Sequence, residues 1–409
     1  MHTLSAASVR QETEMRLNNI GALVGAGLIA AGQALAKPLV FGYLQYSENV
    51  NMDIDFSKYT HINMAFAIPA EDGSFSMQGE ASFRQAVDKV HEKGAKVQIS
   101  MGGWGGSAKF SSIMKDEATR SKFIDNIVDF IKTNDLDGVD LDWEYPGREG
   151  NACNVVDKQN DTANYQKFLE SLRQMLDAEF GKGNKMISMA VRVQPFDGPD
   201  GPMKNVSAIA DLVDYAFLMQ YDFTGAWAKT TGANAPLNFE PDKSAPISFS
   251  TAIREWTAAG WPCEKLVAGL AFYGRSTQAL EDMTNGDMYR PQSSVVPMGD
   301  QEDKVEFDAC AGTNGSSGIW RWKNLRGQNV LETPTTASEP WVRKFDERAK
   351  TPWLFNKETK IFISYDDPES IKAKVNHAKE KGLAGAMIWS IEMDTDKYEL
   401  TNAILDNWK

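Results

Sequence analysis

The chain has 409 residues, 42% of them hydrophobic and 24% charged, and its 56 acidic side chains outnumber 43 basic ones for a net charge of −13. That composition is ordinary for a globular protein, and its acidic balance argues against nucleic acid or an anionic membrane surface as partner and for a neutral substrate. Only four histidines occur (His2, His61, His91 and His377), scattered and without an HExxH, so the common zinc-hydrolase signature is absent and carboxylates and aromatics are the expected tools of any catalysis.

Residues 20–36, IGALVGAGLIAAGQALA, form an apolar run ending in Ala34-Leu35-Ala36, with Arg16 as its positive flank. The run is short for a membrane span, and the pattern predicts a secretory signal over residues 1–36, cleaved before Lys37. An uncleaved anchor is the alternative. Glu12 and Glu14 suit such a leader poorly, which makes Met15 an alternative start. Removing residues 1–36 takes away two Arg and two Glu, so the mature charge stays at −13. The reading is a secreted protein, extracellular or periplasmic, with no membrane association after cleavage. Cys153, Cys263 and Cys310 allow at most one internal disulfide, leave the pairing open and match no metal motif. Sequons at Asn160, Asn205 and Asn314 matter only in a host that glycosylates secreted proteins.

Beyond the leader, short apolar runs alternate with helical patterns. Strands are predicted at residues 39–47, 61–68, 96–103, 138–145, 185–193, 213–222, 265–274 and 384–392. Helical periodicity follows the second, third and fourth strands and recurs near residues 246–259, 368–381 and 396–408. Eight strands alternating with helices predict an α/β protein with a (β/α)8 TIM barrel, a doubly wound open sheet being the runner-up. Residues 276–362 break the rhythm and read as a small α+β insertion after strand seven. The barrel then comprises residues 37–275 and is completed by residues 363–409. No linker or repeat suggests a separate binding module.

The informative stretch is Asp137-Gly138-Val139-Asp140-Leu141-Asp142-Trp143-Glu144-Tyr145-Pro146. Alternation along a strand puts Asp140, Asp142 and Glu144 on one face, about 6.6 Å apart, and Val139, Leu141 and Trp143 on the other. A barrel strand packs its apolar face on helices, so the acids point inward and rise toward the C-terminal mouth. Like charges in a low-dielectric interior raise one another's pKa, and the outermost, Glu144, is then a carboxylic acid near neutral pH, as a general acid must be. A solvated acidic edge or a Mg²⁺ or Ca²⁺ site is the alternative for this strand, with Asp222 the clear further candidate ligand for a metal.

DGVDLDWEYP resembles the DGxDxDxE signature of glycoside hydrolase family 18, the retaining chitinases. Ser100-Met101-Gly102-Gly103 is similar to that family's SxGG motif and Met219-Gln220-Tyr221-Asp222 to its MxYD motif. Tyr273-Gly274-Arg275 at the end of strand seven, Trp389 on strand eight and Tyr365-Asp366-Asp367 after the insertion match as well, so the resemblance covers residues 39–408. It implies that Glu144 is the general acid/base, that the substrate's acetamido group is the nucleophile, that Asp142 orients this group while Asp140 shares a proton or hydrogen bond with Asp142, and that Tyr221 donates to the acetamido oxygen. It implies substrate contacts from Asp222, Trp389, Met219, Trp104, Tyr43, Phe66, Tyr145, Arg275, Tyr273 and Trp227. Chitin and chitooligosaccharides are the implied partners of a monomer without metal or cofactor. An endo-β-N-acetylglucosaminidase acting on N-glycans and a chitin-binding lectin are the alternatives. Ser100, Gly102 and Gly103 read as close-packing positions, Asp137 as structural, and His91 and His377 as solvated.

Overall fold

The computed structural model describes residues 38–409; the predicted leader, residues 1–36, lies outside them. Eight parallel strands close into a barrel: β1 (Leu39–Gln45), β2 (His61–Pro69), β3 (Lys96–Gly102), β4 (Gly138–Asp142), β5 (Met186–Val191), β6 (Tyr215–Leu218), β7 (Leu266–Ala271) and, late in the chain, β13 (Gly385–Trp389). Each pairs with its sequence neighbour, and β1 pairs with both β2 and β13, which removes every edge. The strands are nearly continuous apolar runs because both faces are covered, by helices outside and by side chains inside. Each is shorter than the apolar pattern suggests, except β2. The trailing residues turn out of the ladder at the mouth, and Trp143, Glu144 and Tyr145 are such residues.

Helices return the chain between strands: α1 (Glu80–His91), α2 (Glu117–Asn134), α3 (Asp161–Phe180), α4 (Phe249–Ala258), α5 (Pro368–Glu380) and α6 (Glu399–Asn407). Asp116 starts α2 by accepting the Thr119 N–H at 2.8 Å, and Asp367 starts α5 with Pro368 in its first turn and a reciprocal bond to Ser370. One stripe of α2, Phe123, Ile124, Ile127, Val128 and Ile131, is buried against the barrel, each such side chain contributing roughly 1.5–3 kcal/mol. Val139 and Leu141 face these helices with no exposure, and Trp143 lies between the rings of Phe110 and Tyr165. The acid face of β4 is thereby committed to the barrel interior.

Between β7 and β13 the chain forms a second sheet. Its antiparallel strands are β8 (Tyr273–Gln278), β9 (Ile319–Arg321), β10 (Trp341–Asp346), β11 (Thr351–Asn356) and β12 (Ile361–Ser364), in the order β9-β8-β12-β11-β10. Phe272 alone separates β7 from β8, so the sheet leaves directly from the barrel mouth, and it carries its own apolar cluster around Trp353, Phe355, Phe362, Met283 and Met288. An exposed hairpin, Glu306–Asp308 paired with Thr313–Gly315, rises from it and is joined by a Cys153–Cys310 disulfide to the loop after β4. Cys263 is the free thiol.

Two expectations are corrected. His91 is half-buried, not solvated; its Nε2 lies 2.9 Å from Asp137, whose carboxylate also accepts the Val97 N–H. His377 is half-buried against the Phe249 ring, and its Nε2 is buried without a partner. Among the described residues no helix is long and apolar enough to cross a membrane.

Candidate active site

A cleft of about 1370 Å³ opens at the C-terminal mouth of the barrel. Thirteen of the fourteen predicted site residues line it: Asp142, Glu144, Tyr145, Tyr221, Asp222, Trp389, Met219, Trp104, Tyr43, Phe66, Arg275, Tyr273 and Trp227. The fourteenth, Asp140, lies beneath the floor with no exposure. Seven separate chain segments bring these residues together because strand ends and the loops that follow them share one face of the barrel.

Asp140 accepts three hydroxyl hydrogen bonds, from Tyr43 at 2.6 Å and from Ser100 and Ser188 at 2.7 Å each. Burial raises its pKa and these donors oppose the rise. The expected bond between Asp140 and Asp142 is absent among the described residues, since the donors to Asp140 are those hydroxyls. Asp142 instead keeps a buried oxygen, Oδ1, with no partner. Burial, and then the charges of Glu144 and Asp140, push its pKa far up. For Glu144 burial lifts the pKa to about 7, the neighbouring Tyr145 hydroxyl working against the shift and the Asp222 charge adding to it. Three acids on one strand thus hold fewer than three charges near neutral pH.

The Glu144 backbone is itself held. Its N–H donates to Ser107 Oγ at 2.9 Å, and its carbonyl accepts from Asn154 Nδ2 at 2.7 Å. Ser107 also donates to the Gly103 carbonyl at 2.8 Å. Gly102 and Gly103 lie at φ of 106° and 75°. A Cβ on Gly102 would stand 2.4 Å from the Asp142 carbonyl, and one on Gly103 2.6 Å from the Phe66 ring. These glycines fit the expected close packing; Ser100 does more, as a donor to Asp140.

On the facing wall Asp222, at φ 60°, is clamped by Arg275 through two bonds of 2.6 and 2.8 Å and by the Tyr273 hydroxyl at 2.5 Å. Burial alone would lower the Arg275 pKa, but the Asp222 carboxylate outweighs it and keeps the guanidinium charged. The same guanidinium lies 5.2 Å from the Trp227 ring centre. Tyr221 is held far above the usual phenol pKa, chiefly by burial, so it remains a donor. Trp389 stacks on Phe66 with 5.6 Å between ring centres and leans on Tyr43, forming the floor. Trp104 and Trp227 line the cleft and are 53% and 63% exposed.

Sequence reasoning missed Ser188, Ser107 and Asn154, and also the cleft-lining Gln45, Arg148, Arg192 and Gln194. Ser188 had a signal: a polar residue at an inward position of an otherwise apolar strand. Ser107 and Asn154 act from loops and carry no pattern.

A model of glycosyl hydrolases family 18 matches residues 40–394. A "chitinase-like effector" of Moniliophthora roreri is 35% identical over 381 residues, covering 89% of this chain and 90% of that protein. Chitinase A1 of Niallia circulans is 34% identical over 312 residues, 74% of this chain and 41% of its own length. A crystal structure of a chitinase from Rhizomucor miehei superposes with a TM-score of 0.85 at 35% identity, covering 91% of this chain and all of that one.

Proposed function

Because the chain belongs to glycosyl hydrolases family 18, we propose that this glycoside hydrolase is a secreted chitinase that cleaves β-1,4 bonds between N-acetylglucosamine units with retention. The observation that carries the proposal is the pair at the centre of the cleft: a Glu144 carboxyl lifted to about 7 beside Asp142, whose buried Oδ1 lacks a partner. One is an acid able to give its proton near neutral pH. The other is an acceptor in need of an N–H.

Glu144 protonates the glycosidic oxygen as the bond to C1 breaks. The acetamido carbonyl oxygen of the same sugar attacks C1 from the opposite face and gives an oxazolinium ion. Asp142 accepts the acetamido N–H on its free Oδ1 and aligns the nucleophile. Tyr221 donates to the acetamido oxygen. Water then gives a proton to the ionised Glu144 and opens the ring at C1, which restores the acid and retains the configuration. Trp389 supports the sugar undergoing cleavage, Trp104 and Trp227 carry neighbouring sugars, and Asp222 with its Arg275 clamp hydrogen-bonds hydroxyls. Dependence on the acetamido group selects N-acetylated substrate.

The test is hydrolysis of chitin oligomers by the purified protein, with Glu144→Gln and Asp142→Asn beside it. Equal turnover by the Glu144 variant sinks the acid assignment. The Moniliophthora relative is named chitinase-like, and the second reading is a protein of this fold that holds chitin and does not cut it. Tight oligomer binding by the wild type with no product is the outcome that selects it. Release of glycans from a glycoprotein without chitin cleavage selects an N-glycan substrate instead.

A further inference from the structure

The loop that follows Glu144 runs from residue 145 to 160 without a strand or helix of its own. Such a segment is ordinarily free to move, yet it forms the next stretch of chain after the proposed acid. Three contacts draw it onto that residue. Asn154 Nδ2 donates to the Glu144 carbonyl at 2.7 Å. Gly150 passes so close that a Cβ there would stand 2.0 Å from the same oxygen. The Val155 N–H bonds the Ala108 carbonyl at 3.2 Å, beside Ser107, which accepts the Glu144 N–H. Next to Asn154 is Cys153, and its disulfide partner Cys310 lies 157 residues away on the exposed hairpin of the inserted sheet.

That hairpin has a firm base. Asp303 gathers the Gly299, Ser317 and Gly318 N–H groups, the Gly318 carbonyl accepts from Ser276 on β8, and the Ser317 carbonyl accepts from Arg275, the residue that clamps Asp222. A path of hydrogen bonds and one covalent bridge thus joins one wall of the cleft to the loop under the acid on the other.

We infer that Asn154 is a positioning residue for Glu144, and that the Cys153–Cys310 disulfide is the strut that holds Asn154 in place. The inference rests on the proposed role of Glu144. The strut ties the acid loop to the insertion, which is otherwise far off in sequence. With the bridge cut, the loop keeps its local turns but loses its anchor, the Asn154 bond to the carbonyl lapses, and the Glu144 carboxyl drifts from the glycosidic oxygen while the aromatic sugar platforms stay where they are. Displacement of about 1 Å at a catalytic group costs up to roughly a hundredfold in rate.

The test measures kcat, KM and the pH profile on a fluorogenic chitobioside for wild type, Asn154→Ala, the double variant Cys153→Ser/Cys310→Ser, and all three changes together. Mild reduction of the wild type serves as a second way to cut the bridge, because Cys153 is exposed. The expected result is a fall in kcat of about tenfold or more for Asn154→Ala and for the cut bridge, with KM nearly constant. The alkaline limb of the profile moves to lower pH as water reaches the loosened carboxyl. The triple variant is no slower than Asn154→Ala alone, since both changes act through one bond. Multiplying losses, or a cut bridge that lowers only the melting temperature, overturns the inference while leaving Glu144 as the acid. A wild type that cleaves nothing, or a Glu144→Gln enzyme as fast as wild type, overturns the acid assignment itself.

Discussion

Replacing Glu144 by Gln is expected to do two opposite things, and their combination is the sharpest check on the proposed acid. Glu144 is 8% exposed, and its pKa rises from 4.5 to about 7 mainly because burial penalises the charged form. A carboxyl whose folded pKa exceeds its unfolded one gives its full stability below the unfolded value and loses it as pH rises to the folded value. Here the window is pH 4.5 to 7. That rise in pKa corresponds to about 3 kcal/mol. The wild type therefore carries that strain at pH 8 and not at pH 4. Gln keeps the shape and has no charge, so the variant should match the wild type in stability at pH 4 and exceed it by up to about 3 kcal/mol at pH 8. Turnover should fall by about a hundredfold or more with the loss of the proton donor. Urea unfolding at the two pH values, beside the rate of chitobioside cleavage, measures both. A stability difference that is the same at pH 4 and pH 8 refutes the buried-acid argument, whatever the rate does.

On the proposed mechanism the same carboxyl sets the pH dependence of the reaction. The kcat/KM profile should fall above pH about 7 as Glu144 ionises, and Asp222→Asn should move that limb to lower pH, because the Asp222 charge is one of the causes holding it up; a limb that stays put speaks against the coupling. Arg275→Lys removes the two-pronged bond to Asp222, which a point charge does not replace, so KM should rise by about tenfold, or roughly 1.4 kcal/mol, with kcat less affected, as read from saturation curves. Gly102→Ala places a Cβ 2.4 Å from the Asp142 carbonyl at φ 106°, and should cost about 2 kcal/mol or more in unfolding free energy, with a loss of turnover.

Much of this architecture was legible in the chain because the barrel writes its strands as repeated apolar runs and its acids with a period of two. Eight runs correspond to eight strands, and alternation alone places Asp140, Asp142 and Glu144 on the inner face. The ends were less legible. Strand four reads as extended through Tyr145 but pairs only to Asp142, where β3 beside it also ends, at Gly102. His91 was misread for a related reason. Lys89 and Glu92 beside it look like a solvated helix end, while its real partner, Asp137, lies 46 residues on. Ser107, Asn154 and the disulfide partner of Cys153 are likewise joined to Glu144 only through space, and a hydrogen bond from a loop leaves no period to find.

Register explains why neighbouring carboxylates on one strand have such different surroundings. Asp140 is paired with Ser100 on β3 and with Ser188 on β5, so a small hydroxyl stands at its own level on each side, and Tyr43 reaches in from β1. Its oxygens are filled. One step up, Asp142 is paired with Gly102, which has no side chain to offer, and on the other side the residue two beyond Ser188 is Ala190, whose methyl has no proton to give. A buried oxygen without a donor is costly, and here the cost falls at the level where the cleft begins. The glycine that allows the backbone of β3 to press against the Asp142 carbonyl also leaves Oδ1 of Asp142 without a donor, and this is the oxygen to which the proposed mechanism brings the acetamido N–H.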